Sequence, residues 1–313
     1  MTVSLSAGTA SGADGTDKLQ TIENVTGSGY ADTLIGDTGD NVLDGGMGND
    51  TLIGGTGNDT LIGGGEADTV SYATATGSVT VNLSTGTSSG ADGVDTLRDI
   101  GNVIGSNYAD ILTGDGNNNE LNGGASADTL SGGAGDDTLT GGAGNDTLTG
   151  GDGTDTASYA AATGSVTVNL TTGTASGADG TDKLLTIENV IGSTSADTIT
   201  GNSSSNTLDG SSGDDTLSGG GGADTLSGGL GNDTFVYALG DGSDSVNGND
   251  GTDTIQFPTG ITSSSVKVAF TTGSISSTVS NVMTLSTGAV GTITLSDGAV
   301  ISFQGIEKIK FGA

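Results

Sequence analysis

The chain has no cysteine, no histidine and no tryptophan among its 313 residues, and a single proline, Pro258. Without cysteine there is no disulfide, no thiol nucleophile and no zinc–thiolate site. Without histidine there is no Ser-His-Asp triad, and the usual ligand of transition metals is missing. Aromatic residues are 3% of the chain, so large side chains cannot fill a broad core. Basic residues are equally scarce: 6 Lys and Arg stand against 38 Asp and Glu, a net charge of −32. That charge excludes nucleic acid as a partner. The opening MTVSLSAGTAS has neither the basic nor the apolar region of a secretory leader. No apolar run reaches membrane-spanning length, so direct membrane insertion is excluded.

What is abundant is glycine, 61 residues, and aspartate, which supplies 33 of the 38 acids. Glycine is costly to order, so something beyond apolar burial must hold a fold. Aspartate is short and suits turns and hard-cation sites better than a solvated helical face.

The two residue types recur with a period of nine. Three blocks carry it, 27–71, 105–158 and 192–236, with five, six and five nonads. Typical units are GGMGNDTLI (45–53), GGAGDDTLT (132–140) and GGLGNDTFV (228–236). A longer repeat surrounds them: SVTVNLSTGTSSGADGVDTLRDIGNVIGS (78–106) returns at 165–193, and a truncated copy opens the chain at 3–28. Units that gain or lose whole nonads behave as a linear stack. The nine-residue count continues from Gly63 through 72–80 and 81–89 to GADGVDTLR (90–98), and only residues 99–104 break phase. The spacers therefore read as irregular coils of the same solenoid.

In GGAGNDTLT (141–149) the first six residues form a turn, with glycines where the backbone visits φ > 0. The last three form a short strand with one apolar side chain inward and two hydroxyls outward. Two nonads make one flat coil, and Leu52, Leu61, Leu139 and Leu148 become facing ladders. Coils stack at about 4.8 Å, which sets aspartates over one another. Unscreened like charges at that spacing repel by about 1 kcal/mol even in water. A hard divalent cation turns the repulsion into ligation, and calcium takes six to eight oxygens from carboxylates and carbonyls.

These nonads resemble the RTX, or haemolysin-type, calcium-binding repeat, G-G-x-G-x-D-x-(large apolar)-x. The resemblance covers most of the chain. It implies an all-β, right-handed parallel β-roll or β-solenoid, several Ca2+ ions in the turns, and a β-rich C-terminal cap. Carried over residue by residue, it makes position-six acids the metal ligands: Asp32, Asp50, Asp59 and Asp68; Asp110, Asp128, Asp137, Asp146 and Asp155; Asp197, Asp215, Asp224 and Asp233. Asp17, Asp95 and Asp182 in the spacers, and Asp244 and Asp253 beyond the third block, are lesser candidates. Asn41, Asn119 and Asn206 replace Asp at position six, so those sites are expected to be weak or empty. The first nonad of each block also lacks the paired glycines. Tyr72, Tyr159 and Tyr237 each follow the last nonad of a block and read as packing residues at the junctions.

The organisation expected is three solenoid units, 1–71, 72–158 and 159–236, followed by a capping and secretion segment, 237–313. That last segment holds Lys267, Lys308 and Lys310 and shows β-type alternation in SVKVAF (265–270) and TITLSDGAVISF (292–303). In this family such segments carry the uncleaved signal for type I secretion. The functional expectation is a non-enzymatic, calcium-folded protein of the bacterial surface or extracellular matrix, of S-layer, adhesin or biofilm type. Its partners would be calcium, the type I secretion machinery, and by self-association or at the cell surface a second copy or a polysaccharide. The alternatives are a calcium-binding secretion module of a larger exported enzyme or toxin and, less favoured, an ice-binding surface of outward threonines.

Overall fold

The computed structural model describes Met1–Gly312, and among these residues every regular element is a β-strand. Contacts cluster into two compact units, Met1–Asp155 and Thr156–Ala313. The boundary falls within the last nonad of the second block.

In the first unit, strands on one face include Thr33–Ile35, Thr51–Ile53 and Thr69–Ser71, and on the other Val42–Gly46 and Thr60–Gly64. Pairing is parallel, with Leu34 opposite Leu52 and Leu43 opposite Leu61. In the second block Leu121 faces Leu139 and Leu130 faces Leu148. Every such pair is 18 residues apart, so two nonads make one coil. Each of these leucines is fully buried, whereas the flanking Thr138 and Thr140 are half-exposed. The strand triplet Thr-Leu-Thr thus places its single apolar residue inward on the two-residue pleat.

The spacer departs from the coil expected of it. Val79–Asn82 and Thr87–Gly90 form an antiparallel hairpin, with Thr80 opposite Ser89, and Thr87 is tied to Thr96. On the opposite face the spacer adds one strand, Asn102–Ile104, which pairs directly with Thr69–Ser71. The reason lies in segment 81–89, which has no position-six aspartate to close a turn. It has instead Gly86 at φ +65°, which reverses the chain. Val79 and Val81 are buried on the inward side of the hairpin. The degenerate nonad 90–98 does keep the frame, with Leu97 paired parallel to Leu61. The phase break that follows contains Asp99 in a left-handed conformation, φ +53°, which carries the chain to the other face. The copy at 2–18 in this unit folds likewise, with Val3 opposite Ala10 and Gly8 at φ +64°.

The second unit repeats this plan, with a hairpin of Val166–Asn169 and Thr174–Gly177 and a third strand, Gly180–Leu185. Parallel coils follow, with Leu208 opposite Leu226 and Leu217 opposite Phe235. Past Val236 the coil continues with a two-residue insertion: Val246 pairs with Leu226 and Ile255 with Phe235. Antiparallel strands then take over. Val290–Thr294 joins Lys267–Thr272 to Val300–Gln304, and Val282–Leu285 joins Ile275–Val279 to Lys308–Lys310. The larger aromatics collect at this end, where Phe257 lies 6.4 Å from Tyr237 and 5.6 Å from Phe311, ring centre to centre.

Candidate metal centre

The fold stacks position-six side chains one coil apart and buries them. Asp50, Asp59, Asp68, Asp128, Asp137, Asp146, Asp155, Asp215, Asp224 and Asp233 are all at most 2% exposed. One carboxylate oxygen has a fixed duty. Oδ1 accepts the backbone N–H of the position-six residue in the preceding coil: Asp50 from Asp32 at 2.8 Å, Asp68 from Asp50 at 2.8 Å, Asp137 from Asn119 at 2.7 Å, Asp233 from Asp215 at 2.9 Å. Asp146 and Asp155 do the same for Asp128 and Asp137. Asp244 and Asp253 continue the rows, accepting from Asp224 and Asp233 at 2.8 and 2.9 Å.

The second oxygen is different. Oδ2 of Asp50, Asp59, Asp68, Asp128, Asp137, Asp215, Asp224, Asp233 and Asp253 is buried without a donor. Each Oδ2 lies over the first glycine of its own nonad. A Cβ on Gly45, Gly54, Gly132 or Gly228 would fall on the carboxylate of Asp50, Asp59, Asp137 or Asp233. Carbonyl oxygens crowd into the same space: a Cβ on Gly123 would lie 2.7 Å from Gly141 O as well as on Asp128 Oδ2, and one on Gly210 would lie 2.7 Å from Gly228 O. The turns are therefore cradles that only glycine leaves open, lined by hard oxygens with no hydrogen between them.

Burial makes the ionised state costly. It pushes Asp59 and Asp137 up to about 6 and Asp128 and Asp215 up to about 7. The backbone N–H on Oδ1 opposes this, and stacked neighbours such as Asp146 beside Asp128 add to it. Asp244 and Asp253 are raised to about 6 by the same burial. An unpartnered oxygen on a buried carboxylate, facing carbonyls, fits a hard cation that prefers oxygen. Among the described residues no three acidic side chains converge, so carbonyls must complete any coordination shell.

The remaining candidates are placed differently. Asp32, Asp110 and Asp197, which open the blocks, have both oxygens hydrogen-bonded. Asp110 Oδ2 accepts the Ser106 N–H at 2.5 Å, and its Oδ1 accepts Ser106 Oγ at 2.9 Å and Val79 N–H at 2.7 Å. Asp197 has the same partners in Ser193 and Val166. Asp32 is held by Ser28 and the Met1 amino group. Asp95 keeps the row register, accepting Asp59 N–H at 3.0 Å, while its Oδ2 takes the Tyr72 and Ser88 hydroxyls, both at 2.8 Å. Asp182 accepts the Tyr159 hydroxyl at 3.1 Å. Asp17 is exposed on Gly15–Lys18. Asn41, Asn119 and Asn206 use their amides fully: Nδ2 donates to Glu23 O, Gly101 O and Glu188 O at 3.0, 2.9 and 2.7 Å.

Three side chains take part without any motif that marks them. Glu307 extends a row past the last aspartate, its Oε2 accepting Asp253 N–H at 2.9 Å. Its setting, IEKIKF, shares no glycine pattern with the nonads. Tyr72 and Tyr159 are hydrogen-bond donors to spacer carboxylates as well as packing residues. Their partners lie 23 residues away, beyond any local motif.

The chain matches the family of the RTX calcium-binding nonapeptide repeat (4 copies) over residues 26–61, 45–73, 104–138, 122–157, 186–217, 200–235 and 238–256, together more than half its length. It matches no curated protein. Among solved structures it is similar to the extracellular lipase LipA from Serratia marcescens, at 17% identity and a TM-score of 0.22. That similarity covers 66% of this chain and 38% of the lipase.

Proposed function

The chain belongs to the family of RTX calcium-binding nonapeptide-repeat proteins, and on that premise we propose that it is an exported, non-enzymatic protein that calcium folds outside the cell. The repeats bind several calcium ions. Under this reading the ligands are Asp50, Asp59, Asp68, Asp128, Asp137, Asp146, Asp155, Asp215, Asp224 and Asp233, with Asp244 and Asp253 at the C-terminal end. Glycine carbonyls of adjoining coils share the shell. The observation that carries the reading is the row of buried Oδ2 atoms aimed into glycine cradles without a donor.

Calcium supplies positive charge where the fold gathers negative charge. The chain's own groups do the rest: Oδ1 fixes each carboxylate to the preceding coil, glycine keeps the cradle open, and leucine ladders close the interior. In a calcium-poor cytosol the acidic, glycine-rich chain is unfolded and passes a type I exporter as a coil. Extracellular calcium modules bind at about 10⁻⁴–10⁻³ M, and many such sites make folding steep in calcium. The repeats fill more than half of this chain, which favours a non-enzymatic role at the bacterial surface or matrix. Circular dichroism during a calcium titration tests the proposal. β-signal should be lost in excess chelator and return cooperatively with calcium. A chain already β-rich in chelator and indifferent to calcium would overturn it.

A further inference from the structure

Within the three blocks, the backbone N–H of position two either reaches the position-six side chain of its own turn or does not. The structure holds that N–H in one of two settings. At Ser28, Asp37, Ser106, Asp115, Ser193 and Asn202 the backbone is outside the left-handed region. There the N–H is donated to the position-six side chain, at 2.5, 2.8, 2.5, 2.8, 2.5 and 2.9 Å. At Gly46, Gly133 and Gly220 φ is +99°, +112° and +87°. There Oδ2 of Asp50, Asp137 and Asp224 has no donor.

Two turns separate residue type from conformation. Ser211 and Asn249 also occupy position two, and neither is glycine. Both have positive φ, 71° and 67°, and Oδ2 of Asp215 and Asp253 is again without a donor. Ser28, Ser106 and Ser193 have the same side chain as Ser211 but the other conformation, and they donate. The backbone setting, not the presence of a glycine, accompanies the open oxygen.

We infer that φ at position two decides whether a turn takes calcium or is closed by the protein's own N–H. A positive φ withdraws the amide and leaves Oδ2 for the cation. Within the blocks any other φ delivers the amide and seals the turn; in the spacer nonad 90–98, where the Ala91 N–H goes to Ser78 O, the Tyr72 and Ser88 hydroxyls occupy Asp95 instead. Both opening turns of every block are then sealed: those of Asp32 and Asn41, Asp110 and Asn119, Asp197 and Asn206. Asp110 has both carboxylate oxygens taken up by three donors. In the Asn turns an amide N–H reaches the carbonyl of the coil below. Each block therefore starts on a calcium-independent coil beside its hairpin, and calcium turns are added from there.

This inference rests on the proposed calcium loading, and the test separates the two. Calcium bound at saturation is counted on the whole protein by native mass spectrometry and equilibrium dialysis. Asp110→Asn should bind as many ions as the parent, and Asp137→Asn at least one fewer. Asn119→Asp alone should gain none, because Asp115 still donates its N–H. Asn119→Asp combined with Asp115→Gly should gain one. A parent that binds no calcium refutes the proposed function itself. A parent that binds calcium, with Asp110→Asn losing as many ions as Asp137→Asn, overturns only the inference. The Asp110 and Asp137 comparison decides the matter even if the double variant fails to fold.

Discussion

Replacing Asp137 by asparagine should change stability in opposite directions with and without calcium. The substitution keeps the acceptor for Asn119 N–H, which lies 2.7 Å from Oδ1. It removes the charge and turns Oδ2, which has no donor, into an N–H group. In the metal-free fold, burial holds the Asp137 carboxyl up at about 6 against an ordinary 3.8. At ~1.4 kcal/mol per pH unit that corresponds to about 3 kcal/mol against the ionised form. Water at the mouth of the turn lowers it to between about 1 and 3 kcal/mol. Asp137→Asn relieves this cost at neutral pH, so the calcium-free fold gains. In calcium the variant loses a site, which at a hundredfold excess over Kd is worth about 2.7 kcal/mol. For a unit of this size that lowers Tm by roughly 5–10 °C. Circular dichroism at pH 7.5 provides the assay: osmolyte-driven folding in calcium-stripped buffer, where the chain is otherwise unfolded, and thermal melts in calcium-saturated buffer. Equal destabilisation in both buffers would refute the reasoning, because it would make Asp137 a structural hydrogen-bond residue and nothing more.

Acidity should act on the metal-free chain with a definite sign. Asp59, Asp128, Asp137 and Asp215 have folded values near 6 to 7, above their ordinary 3.8. The folded form therefore holds more protons between those limits, and its penalty is complete above about pH 7 and gone below about 4. β-signal in calcium-stripped buffer should rise as pH falls from 7.5 to 5, whereas signal that falls or stays flat would contradict the burial of these groups. Tyr72→Phe removes the hydroxyl donor to Asp95 and should cost about 1–2 kcal/mol, read as a lower Tm in saturating calcium. Gly142→Ala places a Cβ on Gly124 O at φ +92°, so it should cost at least about 1–2 kcal/mol and raise the calcium midpoint of folding. A midpoint equal to the parent's would argue against the tight turn.

The coils were legible in the sequence because one rule is repeated many times. A single apolar residue per nonad fixes the inward face, and the observed offset of 18 between Leu121 and Leu139 follows from pairing two nonads. The acids at position six were legible for the same reason. The spacers were only half legible. Asp95 and Leu97 obey the nine-residue frame. Residues 79–90 do not, because frame counting cannot distinguish a coil from a hairpin when the closing aspartate is absent. Differences among the acids were illegible, since they depend on φ at position two and on distant donors. Ser106 and Ser211 occupy the same nonad position, and only the structure shows that one donates its amide to the carboxylate and the other does not.

The central claim, that cations lie where the carboxylates lack donors, is tested most directly by anomalous diffraction from calcium-loaded crystals. The account predicts peaks in both turn rows, about 2.3–2.6 Å from Oδ2 of Asp50, Asp59, Asp128, Asp137, Asp215 and Asp233, with glycine carbonyls in the shell. Those Oδ2 atoms surrounded by water alone, with calcium elsewhere or absent, would contradict it.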